Sequence, residues 1–117
     1  FSGPPAMILR AWRAGDIRLV VSPPIMDEYR GVIQELAAKF PLIDPAPLLK
    51  LVAIHALMID APALPEIVCS DPTDDMFLAC AIVAGSPIVV SGDKALLQTS
   101  GYQGIEVVTP RAFLSLI

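Results

Sequence analysis

Charge is what this chain has least of. Only 17% of its 117 residues are Asp, Glu, Lys or Arg, against 55% that are hydrophobic. So apolar a chain excludes intrinsic disorder and requires that some elements be buried on both faces. It also lacks a membrane span, because Pro, Asp, Arg or Lys interrupts every apolar run before the roughly 18 residues that crossing demands. No signal peptide is read either. No membrane association and a cytoplasmic location are therefore the expectation. Basic residues number only eight and are scattered, with a net charge of −4, which argues against gripping nucleic acid by bulk charge. An enzyme that reaches phosphates through a bound cation stays compatible with that balance. There is one histidine, His55, on a helical stretch with Leu51, Val52, Ala56 and Ile59, and it reads as structural. The two cysteines, Cys69 and Cys80, have no metal-type spacing and sit in apolar surroundings, so reduced interior thiols are expected.

What is present fits one domain, residues 1–117, with one core. The chain opens on Phe1-Ser2-Gly3 rather than Met, and the natural polypeptide is expected to begin upstream. Ala6 to Ala14 reads as a helix stopped by Gly15, and Ile17 to Val21 as a strand. Ser22-Pro23 caps a helix to about Lys39 that places Ile25, Met26, Tyr29, Val32, Ile33 and Leu36 on its buried side. Asp44-Pro45 opens a third helix to about Asp60, and the proline-rich Ala61 to Glu66 is a rigid connector. Ile67 to Cys69 reads as a short extended segment. Pro87 to Ser91 is a second strand, apolar enough to be central in a parallel sheet, and Ile105 to Val108 a third. A short helix from Asp93 to Gln98 and a last one capped by Thr109-Pro110 complete the pattern. Strands alternating with helices predict an α/β domain with helices on both faces of a central parallel sheet.

The chemistry gathers around Ser70-Asp71-Pro72-Thr73-Asp74-Asp75-Met76-Phe77, where three carboxylates precede an apolar helix ending at Gly85. Asp71 or Thr73 can cap that helix, and acids suit its positive end. Two further acids follow strands. Glu28 lies in the first turns of the helix after Val20-Val21, and Asp93 follows Ile88-Val89-Val90 directly. Ligands of open parallel sheets bind beyond the carboxyl ends of the strands. If the strands are neighbours, Glu28, Asp75 and Asp93 converge. Two carboxylates about 4 Å apart repel by roughly 4 kcal/mol at an effective dielectric near 20. A cation is then needed, and oxygen-only ligands favour Mg²⁺ or Mn²⁺ over Zn²⁺. Such ions clamp phosphate oxygens and activate water. Ser91, Asp74 and Lys94 are accessory candidates.

Three segments carry a resemblance: Ser22-Pro-Pro-Ile-Met-Asp-Glu28-Tyr, Asp71-Pro-Thr-Asp-Asp75-Met-Phe-Leu-Ala and Val90-Ser-Gly-Asp93-Lys. In this order and spacing they resemble the acidic motifs of PIN-domain ribonucleases, and the VapC-like toxins of toxin–antitoxin systems in particular. The resemblance implies a three-layer α/β/α fold with four or five parallel strands. It also implies a metal-dependent endoribonuclease with Glu28, Asp75 and Asp93 as catalytic, metal-holding acids. A homodimer and an antitoxin that blocks the cleft are its implied partners. Two departures are visible. The family's first strand, carrying an Asp, should lie just before Phe1 and is not in this chain. The position two residues after Asp93, often acidic in the family, is Ala95, which counts against a second metal.

Two other classes remain open at this point. One is a catalytically impaired PIN-like module that acts through a protein partner. The other, a phosphohydrolase with an Asp nucleophile, wants an Asp-x-Asp pair after a first strand that this chain does not show. The high apolar content predicts an exposed apolar patch and hence a homodimer through the first helices.

Overall fold

A computed structural model describes residues 3–42, 44 and 46–117, without the side chain of residue 48. The fold is α/β. Proline starts the first two helices, where its missing N–H costs nothing: α1 spans Pro4–Arg13 and α2 Pro23–Lys39. Between them lies β1, Val20–Val21. Then come α3, Ala46–His55, and β2, Leu57–Met58. After the connector, a 3₁₀ turn over Pro72–Asp74 leads into α4, Asp75–Ala84. The chain finishes with β3 (Ile88–Val90), α5 (Lys94–Leu97), a 3₁₀ turn (Tyr102–Gly104), β4 (Glu106–Val108) and α6 (Pro110–Leu114).

The strands form two parallel pairs rather than one sheet. β1 pairs with β2 in the register Val20 to Leu57, and β3 pairs with β4 in the register Val89 to Val107. The expected central strand, Pro87 to Ser91, thus pairs on one side only among the described residues. α4 packs on both β1 and β3 and bridges the pairs. It can do so because Asp75-Met-Phe-Leu-Ala-Cys-Ala-Ile-Val-Ala is apolar on every side after its first residue. Gly85 ends it in the left-handed conformation, φ 65°, and Ser86 N–H closes the turn on the Ala81 carbonyl at 3.0 Å.

The core is correspondingly double. One cluster holds Trp12, Val21, Ile25, Met26, Val52 and Cys80. The other holds Cys69, Leu78, Ala81, Leu96, Ile105 and Val107. Phe77 packs against both. The cysteines are free and buried, one in each cluster, as expected.

Several boundaries differ from expectation. The third helix stops at His55, not near Asp60, because Leu57 and Ile59 N–H groups find the carbonyls of Leu19 and Val21 at 2.8 and 2.9 Å. A strand bond replaces the next helical turn. The expected start at Pro45 lies outside the described residues. In α2 only Ile25 and Met26 are fully buried, while Val32 and Leu36 are 46% and 45% exposed. The first turns of that helix lie over the core and the rest runs past it. Ile67 to Cys69 is not a strand; its backbone is held by a side chain instead. No described helix is long and apolar enough to cross a membrane.

Candidate functional site

The local chemistry that starts each acidic segment is visible as capping. Asp71 Oδ1 accepts the Thr73 N–H at 3.0 Å and its hydroxyl at 2.8 Å, which sets the 3₁₀ turn ahead of α4. Asp93 Oδ1 accepts the Ala95 N–H at 3.2 Å and starts α5. Ser91 Oγ accepts the Asp93 N–H at 3.0 Å, so this hydroxyl fixes the turn that carries Asp93. Lys94, beside it, is exposed.

Asp75 is engaged elsewhere. Its Oδ1 accepts the Cys69 N–H at 2.8 Å and its Oδ2 the Val68 N–H at 3.0 Å. The Cys69 thiol lies close enough to the same carboxylate to favour its charged form. Burial pushes Asp75 towards the neutral acid, but these three groups outweigh it and hold its pKa below the ordinary carboxylate value. The thiol answers in the opposite sense. Burial first, then the carboxylate of Asp75, pushes Cys69 up to about 12. Both oxygens of Asp75 therefore clip the connector backbone to the start of α4.

The neighbouring Asp74 faces the other acids. Burial comes first among the causes that raise its pKa, followed by the negative charges of Asp71, Asp93 and Glu28. Like charges crowd here, which is the electrostatic condition a metal site relieves. Asp74, Ser91 and Asp93 line one groove between the two strand pairs, about 530 Å³ in volume. Glu28 lines an adjoining hollow with Asp27, Glu35 and Thr73, and Asp75 lines another with Ser22 and Thr73. The three sequence-predicted acids thus open onto three different cavities, of which those of Glu28 and Asp75 share Thr73, and the accessory Asp74 lines the groove of Asp93. Among the described residues no group of three or more His, Cys, Asp or Glu side chains stands ready to hold a metal ion. The donors fit a hard cation in kind, since all are oxygens; of these carboxylates, Asp74 and Asp93 line the same groove.

Sequence reasoning missed the Asp75 clip. Its one signal was a second acid directly beside the first, and nothing in one dimension says which of the two turns inward.

Neither the curated proteins nor the solved structures compared with this chain contain a match. A family model described as the PIN domain matches residues 1–95, more than three quarters of the chain. PIN domains are generally nucleases, typically using divalent metal ions, and their α/β fold agrees with the helices and parallel strand pairs found here. The chain belongs to the PIN domain family.

Proposed function

We propose that this protein is a Mg²⁺- or Mn²⁺-dependent endoribonuclease, acting as the toxin of a toxin–antitoxin pair. The observation that carries this reading is that Asp74 from the start of α4 and Asp93 from the turn after β3 line one groove, in a family whose members are generally nucleases. Glu28, at the start of α2, supplies a further carboxylate to their field. Glu28, Asp75 and Asp93 are the catalytic acids of this proposal, with Asp74 added as the partner of Asp93. A divalent ion among such carboxylates supplies positive charge for phosphate oxygens and a more acidic bound water. The protein's own part is to fix the carboxylates: Ser91 sets the turn of Asp93, and the Asp71 cap sets the turn of Asp74. An RNA substrate, an antitoxin covering the acids and a homodimer are the partners proposed with it. Val32, Leu36 and Phe40, exposed at successive turns along α2, support the dimer; a clean monomer in light scattering at micromolar concentration would count against it.

The second reading is a PIN-like module that binds a partner without catalysis. The commitment of both Asp75 oxygens to the backbone favours it, because a clipped carboxylate is slow to turn towards an ion.

The test is calorimetric titration with Mn²⁺, paired with RNA cleavage, on the wild type and Asp93→Asn. Asn keeps the cap and removes the charge. Metal binding and cleavage that both disappear in the variant support the nuclease. A folded wild type that binds no metal and cuts no RNA leaves the binding module.

A further inference from the structure

The connector between β2 and α4 is held by side chains at two points. At one, Asp75 accepts the N–H groups of Val68 and Cys69 at 3.0 and 2.8 Å. At the other, the Tyr102 hydroxyl donates to Glu66 Oε1 at 2.7 Å, across 36 positions of sequence. Gln103 Nε2 donates in turn to that hydroxyl at 3.0 Å. A phenolic oxygen carries one proton, so accepting from Gln103 leaves that proton for Glu66. Gln103 does this from a backbone with φ 48°, the one non-glycine residue with positive φ among the described residues. That conformation is strained for a residue with a Cβ, and it persists where the surrounding structure demands it.

Tyr102 is itself tied to the element that Asp93 starts. It packs on the second core cluster beside Leu64 and Val68 of the connector, and that cluster includes Leu96 of α5. Backbone bonds lead from it back to Asp93. The Tyr102 N–H donates to the Thr99 carbonyl at 3.1 Å, the Thr99 N–H to the Leu96 carbonyl at 3.0 Å, and the Leu97 N–H to the Asp93 carbonyl at 3.0 Å. One route thus runs from the head of α4, through Asp75 and the connector, to Glu66, Tyr102 and Asp93. Its two ends carry Asp74 and Asp93, which line the same groove from different elements.

We propose that Glu66 and Tyr102 are positioning residues, whose hydrogen bond sets the spacing of Asp74 and Asp93 and with it the affinity of these acids for a divalent ion. The inference rests on the metal-dependent nuclease reading. Mg²⁺ demands oxygen ligands at about 2.0–2.1 Å in near-ideal octahedral geometry. Two acids on separate elements meet that demand only when something fixes one element against the other. Glu66 lines the cavity of Asp75 and not the groove of Asp74 and Asp93, so it acts through the backbone it holds.

The test compares wild type with Tyr102→Phe, Glu66→Ala, Glu66→Gln and the double variant of Tyr102→Phe with Glu66→Ala. Mn²⁺ affinity is read by calorimetric titration, and kcat and KM by cleavage of a mixed-sequence RNA oligonucleotide. Phenylalanine keeps the ring on the core and removes the hydroxyl, while glutamine keeps an acceptor for it and removes the charge. Tyr102→Phe and Glu66→Ala are each expected to weaken Mn²⁺ binding about 5-fold or more, with kcat reduced and KM for RNA unchanged. Glu66→Gln stays near wild type, and the double variant falls no further than either single one, since both remove the same bond. An active wild type matched by Tyr102→Phe in metal affinity and kcat overturns the proposal and leaves the nuclease standing. Equal losses in Glu66→Gln and Glu66→Ala overturn it as well, because charge and not the bond is then the cause. A wild type that binds no Mn²⁺ and cuts no RNA removes the nuclease reading and this inference with it.

Discussion

Asp75 accepts the backbone N–H of Cys69 at 2.8 Å and, through its other oxygen, that of Val68 at 3.0 Å. A carboxylate at the head of α4 thereby organises a connector six residues upstream, one with no strand or helix of its own.

Removing that carboxylate should cost stability before it costs anything else. Hydrogen bonds to charged groups contribute about 1.5–3 kcal/mol each when well buried, and Asp75 is partly exposed, so Asp75→Ala is expected to lose about 2 kcal/mol in urea unfolding. An unchanged midpoint would show that the clip contributes nothing. The same result bears on function: any loss of activity in an Asp75 variant has to be corrected for the fraction unfolded.

Asp74 should behave in the opposite sense. Its folded pKa is raised, so between the ordinary carboxylate value of 3.8 and the folded value the native state holds a proton that the unfolded state has released. Stability from this group is full below pH 3.8 and is lost as pH rises through the folded value. Asp74→Asn is therefore expected to melt higher than wild type at pH 7 and to gain nothing at pH 3. A metal held by Asp74 and Asp93 also relieves this repulsion, so Mn²⁺ should raise the wild-type melting temperature at pH 7 and leave Asp74→Asn less affected. Equal shifts in both proteins would put the ion elsewhere.

The thiols should be silent in the native state. Burial and the Asp75 carboxylate push Cys69 up to about 12, and burial raises Cys80. At pH 8 a thiolate-directed reagent should label neither residue until the protein is unfolded, and both thereafter. The stability that a neutral Cys69 contributes is complete below its ordinary value of 9.0 and is lost as pH climbs from there towards 12. Rapid native labelling of Cys69 would contradict its place in the core.

Truncation at the centre of α4 should be severe. Leu78 is fully buried in the second cluster, and Leu→Ala at such a site removes about 2–5 kcal/mol. The check is Leu78→Ala in chemical denaturation. Substituting the exposed Leu42 in the same way should stay within about 0.5 kcal/mol.

What the sequence disclosed was whatever a few neighbouring residues decide. Asp71, Asp93 and Thr109 each accept a backbone N–H two or three positions on, and Gly85 takes the left-handed turn, so helix starts and stops were legible. The α/β class followed from their alternation. β2 was not legible, because Leu57 and Met58 follow a helix without a break and are extended only for the sake of β1, far upstream. The separation of the strand pairs is equally a matter of distant contacts. The roles of Asp74 and Asp75 were hidden for a geometric reason. Adjacent residues entering a helix diverge by about 100°, and α4, apolar all round, has no stripe to show which direction is inward. Glu28, Asp75 and Asp93 were found as candidates, with Asp74 as an accessory; that Asp74 is the one sharing a groove with Asp93 required three dimensions.

Phe77 belongs to the margins of both cores. Two packed units joined through α4, with this shared ring, and through the packing of α1 on α6 melt together only while those joints transmit the loss of one to the other. The sharpness of the thermal transition then depends in part on one aromatic side chain, and a calorimetric peak that broadened or divided in Phe77→Ala would reveal two halves with separate stabilities.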